Sequence, residues 1–192
     1  KLNSCLYLDK DGQLPQVSLE DLERHSQDLI CLSGGAYGPV GQLLQTGQRP
    51  AAEQLVKRLA EAFENRLYIE LQRHPGENGL PEAERLTETA FLEIAYEMAL
   101  PLVATNDVFF PKSDMYEAHD ALICIAEGAY VDQQEPRRKL TAQHYFKSPQ
   151  EMIALFADLP EAIENTVEIA QRCAFMAYQR DPILPKFADN EV

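Results

Sequence analysis

Two residues with ligand chemistry stand where short apolar runs end. His74 closes the segment Glu70-Leu71-Gln72-Arg73-His74, and Asp107 closes Thr105-Asn106-Asp107. An imidazole can bind a divalent metal or move a proton, and a carboxylate can do either. In α/β folds, sites form at the C-terminal ends of the strands. If the two runs are consecutive, adjacent strands, His74 and Asp107 are neighbours. A catalytic zinc takes at least three protein ligands, and two do not complete a set. Read as plain structure, His74 is a hydrogen-bonded loop residue, while Asn106 and Asp107 cap and turn a loop. The other histidines add nothing to the pair. His119 falls inside a helix, and His25 and His144 lie in polar context, so all three read as surface residues. No nucleophile, base and orienter can be assembled from these types.

A third strand end carries Ser33-Gly34-Gly35-Ala36-Tyr37-Gly38-Pro39-Val40-Gly41. A glycine-rich turn into a helix, here about Pro39 to Gln45, can offer backbone N–H groups to an anion. The turn lacks the Lys-Ser/Thr ending of a P-loop and does not fit G-x-G-x-x-G. The alternative is a tight turn that needs positive φ. Cys5, Cys31, Cys124 and Cys173 lie far apart, without C-x-x-C or zinc-site spacing. They read as reduced, mostly buried thiols of a cytosolic protein, with Cys31 and Cys124 inside apolar runs and therefore in the core.

Short apolar runs and longer amphipathic ones must position these residues. Asp28 to Ser33, Arg66 to Gln72 and Leu100 to Asn106 read as strands. Pro50 to Asn65 reads as a helix, with Leu55, Leu59 and Phe63 on one face. Pro81 to Leu100 reads likewise, with Leu86, Ala90, Ile94 and Met98 inward and Phe91 and Ala95 alongside. Alternating strand and helix predicts βαβ units and a mainly parallel sheet. The last third reads as helical throughout: Ser113 to Glu127, then a capping box at Ser148-Pro149-Gln150-Glu151 with a helix to about Ala157. Asp158-Leu159-Pro160-Glu161 repeats that device and starts a helix to about Arg172, with Ile163, Val167, Ala170 and Ala174 on its buried face. Asp181-Pro182-Ile183-Leu184-Pro185 reads as an extended linker.

The 192 residues include 31 acidic and 17 basic side chains, a net charge of −14. Duplex binding is built largely from Lys and Arg neutralising phosphates, so this balance excludes general DNA binding. The basic run Arg137-Arg138-Lys139 reads as a solvated loop. Hydrophobic residues are 45% and charged residues 25%, a globular composition. No apolar run is long enough for a membrane span. Three strands are few for such a sheet, and the chain opens on Lys1 rather than Met. Both suggest a piece of something longer whose opening strands lie elsewhere, with Leu2 to Leu8 a remnant of an element.

Leu29 to Gly35 (LICLSGG), Tyr68 to His74 (YIELQRH), Leu102 to Phe110 (LVATNDVFF), Glu117 to Asp120 (EAHD) and Phe146 to Cys173 come in an order that resembles one family. It is the N-terminal PHP (polymerase and histidinol phosphatase) domain of bacterial replicative DNA polymerase III alpha subunits. Pro160 to Thr166 (PEAIENT) and Leu184-Pro185-Lys186-Phe187 resemble these subunits more than the stand-alone phosphatases of the same fold.

The resemblance implies an α/β fold: an incomplete PHP-type distorted (βα)7 barrel, with parallel strands and a helical C-terminal part. It implies later βα units over residues 1–130, a helical extension over 131–180, and a linker towards the polymerase core over 181–192. Metal-binding members of the family use an early His-x-His and other ligands that would precede Lys1. Of the later ligand positions, His74 and Asp107 keep a ligand, whereas Gly35 stands in place of Cys and Phe109 in place of His. The resemblance thus implies a vestigial site, no bound metal or other cofactor here, and no catalysis by this piece. DNA synthesis with Mg²⁺ would belong to the palm of the parent chain. The expected role is scaffold and docking domain in a bacterial cytoplasm. The expected partners are the rest of the alpha subunit and the proofreading exonuclease subunit. The competing expectation is a metal-dependent phosphoesterase or 3′–5′ exonuclease completed by the missing ligands.

Overall fold

The computed structural model describes residues 1–8, 16–77, 79–133 and 140–182. Arg137-Arg138-Lys139 and Ile183 to Phe187 lie outside the described residues. Three parallel strands form one sheet in the order β1-β2-β3: Cys31–Leu32, Leu67–Gln72 and Leu102–Thr105. All three predicted strands are present, in the predicted direction. β1 is shorter than its apolar run, because Asp28 takes a φ of 61° and turns the chain just before it.

β2 is central and buried on both faces, which explains why apolar residues stand on both sides of it. Helices α1 (Leu2–Leu8), α2 (Leu19–Arg24), α3 (Pro39–Gln45) and α4 (Arg49–Ala62) surround β1 in sequence. α4 starts one residue before the expected Pro50, with that proline in its first turn, where a missing N–H costs nothing. It buries Ala52, Val56 and Leu59. α5 (Glu82–Glu97) crosses from β2 to β3.

The inward face of α5 is not the one the leucine spacing suggests. Leu86 is exposed, while Glu84, Thr87, Phe91, Ile94 and Ala95 are buried. The helix is rotated because Glu84 and Thr87 have partners inside. The Thr87 hydroxyl donates to the Ala83 carbonyl, and Glu84 holds His74.

Ser113–Met115 is a 3₁₀ turn leading into α6 (Tyr116–Glu127), which Gly128 ends in the left-handed region at φ 67°. The last third is not helical throughout, since the described residues between Gly128 and Lys147 contain no helix. The capping box at Ser148 forms as expected and opens α7 (Pro149–Leu155). The second box does not form. Leu159 is the residue before α8 (Pro160–Arg172), and no side chain caps it. Asp158 turns instead to Arg73, at 2.7 Å.

The buried side of α8 also differs from the expected one. Ala162 is fully buried, Ile163, Asn165, Thr166 and Ile169 are half-buried, and Val167, Ala170 and Ala174 face outward. Small Ala162 lets the helix approach β3, and Asn165 donates to the Leu102 carbonyl at 2.7 Å. Phe156, Leu159 and Ala162 join the same buried cluster as Phe63, Ile69 and Phe91.

Of the four free cysteines only Cys124 is buried. Cys31, expected in the core, is half-buried because its strand lies at the sheet edge. Burial and nearby Glu70 still push its thiol up to about 11.

Candidate functional site

The C-terminal ends of the strands converge on a polar rim. Ser33 and Glu70 are both buried there. The Glu70 N–H donates to Ser33 Oγ at 2.9 Å. The Glu70 carboxylate accepts the Gly34 N–H at 2.9 Å and the Thr105 hydroxyl at 2.5 Å. One side chain of the middle strand therefore ties the turn after β1 to the end of β3.

This contact decides between the two readings of the glycine turn. Gly34 and Gly35 adopt φ of 88° and 57°, so the turn needs residues at ease in the left-handed region. The Gly34 N–H is spent on Glu70, and Gly38 donates to the Gly35 carbonyl. These contacts hold the turn in its tight form.

His74 and Asp107 are brought together, as their strand ends require. The meeting is through the backbone, however. The Asp107 N–H donates to His74 Nε2 at 3.2 Å, and the Asp107 side chain faces solvent. Glu84 holds the other side of the ring. Its Oε1 lies 2.7 Å from His74 Nδ1, and its Oε2 accepts the His74 N–H at 2.8 Å. An Nε2 that accepts requires the proton on Nδ1, where it points at Glu84. His74 is 1% exposed and Glu84 3%.

His144 is the main correction to the sequence reading. It is buried rather than on the surface, and its ring stacks on His74 with centroids 3.9 Å apart and planes 8° from parallel. Its Nδ1 accepts the Thr141 N–H at 3.2 Å. Burial, and the His74 ring beside it, push the imidazole down to about 4, so it is neutral across ordinary pH. His25 and His119 are half-buried rather than on the surface. His119 packs beside Phe109 and Phe110, and its Nδ1 is buried without a partner.

Phe109 stands 5.9 Å from the His144 ring and 5.7 Å from His119, filling the space between them. Its N–H donates to the His144 carbonyl at 2.9 Å. Asn106 fastens the same loop by donating to the Tyr145 carbonyl at 2.7 Å, and Lys147 reaches Asn106 Oδ1 at 3.3 Å. Gly35 is buried, and a Cβ placed on it would lie 2.7 Å from Gln72 Oε1.

A cavity of about 670 Å³ opens beside this group, lined by Tyr37, Glu77, Pro81, Asp107, Thr141 and His144 among others. Burial, with Glu84 and Asp107 nearby, pushes the Tyr37 phenol up. The free lone pair of His74 is taken by a backbone amide, and a phenyl ring occupies the loop beside His144. Among the described residues no three His, Cys, Asp or Glu side chains are grouped to hold an ion.

Glu84, Thr141 and His144 escaped the sequence reading. Glu84 had a signal: it shares a helix face with Thr87, Phe91 and Ile94, where a carboxylate is buried only if something holds it. His144 had none, since the residues around it are polar.

A parallel sheet with its polar rim at the strand ends is the α/β arrangement of the PHP fold, and residues 1–74 match the PHP domain family. That match covers 74 of the 192 residues, and the three-stranded parallel sheet with its helices fits an incomplete α/β barrel of the PHP type. Over its whole length it is 48% identical to DNA polymerase III subunit alpha of Caulobacter vibrioides and 42% identical to that of Rickettsia bellii. Over 84% of its length it is 42% identical to the same subunit of Pseudomonas aeruginosa. It spans only 16% of the first two relatives and 13% of the third. The sequence therefore corresponds to the PHP region of DNA polymerase III alpha subunits. Among the described residues no helix is long and apolar enough to cross a membrane.

Proposed function

We propose that this chain is a non-catalytic scaffold and docking part of a replicative DNA polymerase, working in the bacterial cytoplasm. The observation that carries this reading is the state of His74. Its Nδ1 faces Glu84 and its Nε2 accepts the Asp107 amide. A ligand imidazole needs one of these positions free. Gly35 and Phe109, where the family has Cys and His, support the same reading. In this reading His74 and Asp107 are vestigial positions, and the piece holds no cofactor. Mg²⁺-dependent synthesis belongs to another part of the subunit, the proofreading exonuclease subunit docks on this region, and duplex DNA does not. The net charge of −14 supports the last point.

A second reading, a metal-dependent phosphoesterase or 3′–5′ exonuclease, is favoured by one feature. A buried carboxylate on the far nitrogen of an imidazole is how metal-binding histidines are oriented. Metal analysis of the complete subunit after dialysis decides between the two. The scaffold reading expects no stoichiometric zinc or manganese at this site and no change in metal content on His74→Ala. A stoichiometric ion lost in that variant would overturn it.

A further inference from the structure

We draw no further inference here: the strongest candidate, the cavity of about 670 Å³ at the C-terminal ends of the strands, whose wall carries Glu77, Glu82, Asp107 and His144, belongs to the site already described, and nothing in the structure shows what fills it.

Discussion

The Asp107 amide sits 3.2 Å from His74 Nε2, so the backbone of one residue occupies the ring lone pair of the other. Replacing the Asp107 side chain leaves that contact in place, because no side-chain atom takes part. Replacing His74 removes the partner of a buried carboxylate. His74→Ala should cost about 2–3 kcal/mol, the loss of a charged hydrogen bond with Glu84 left inside. Asp107→Ala should cost under about 0.5 kcal/mol, as exposed substitutions do. Urea unfolding of the two variants compares them directly, and equal losses would contradict the backbone role.

Gly35 and Gly47 separate two penalties. Both have positive φ, 57° and 71°, but a Cβ on Gly47 meets nothing within 4 Å. Gly47→Ala should therefore cost about 1 kcal/mol, from the left-handed backbone alone. Gly35→Ala should cost more, since its Cβ also presses on Gln72. Adding Gln72→Ala should bring the loss back towards that of Gly47→Ala. A Gly35→Ala variant as stable as the parent would show that the turn does not need this conformation.

The stacked histidines make stability depend on pH. Unfolded His144 titrates near 6.5 and folded His144 near 4. Between those values the unfolded chain binds a proton that the folded chain refuses. The contribution is therefore full above pH 6.5 and is lost progressively as the pH falls towards 4. His144→Asn should flatten this part of the profile. An NMR titration that finds His144 protonating near 6.5 in the folded chain would refute the buried, stacked environment.

Arg73 joins the end of β2 to the C-terminal helices. It meets Glu88 at 2.6 Å and Asp158 at 2.7 Å, donates to the Leu155 carbonyl at 2.9 Å, and lies over the Phe156 ring at 4.7 Å. Its side chain is 11% exposed and that of Asp158 62%. Arg73→Ala should cost about 3 kcal/mol, and Lys, which lacks the planar fork, should recover little. Asp158→Ala should cost under about 1 kcal/mol, as exposed ion pairs do. Thermal unfolding of the three variants gives the ranking, and a dominant Asp158 would reverse it.

Strand order and helix positions were readable because burial leaves a period in the sequence. Leu67 to Leu71 is buried throughout, and apolar apart from Glu70, because both faces of the strand are covered. Helix orientation was less readable wherever a polar residue turned inward. The α5 face was misjudged at Leu86 because Glu84 is buried by His74, ten residues away. The α8 face was misjudged at Val167 because a small alanine and an asparagine make its contact with β3. The pairing of His74 with Asp107 followed from strand adjacency, but the use of the amide rather than the carboxylate has no sequence signal. His144 comes from a loop whose path is set by Asn106 and Lys147, and no local pattern reports such a path.

Glu70 gives the rim a property of its own. Where a bound ion draws loop ends together, losing its ligands loosens the fold along with the chemistry. Here the anion at the crossing of three strands is covalently part of the middle one. It satisfies Gly34 and Thr105 whatever occupies the neighbouring cavity. The tie uses no side-chain atom of Gly35 or Phe109, so it does not depend on what stands at either position.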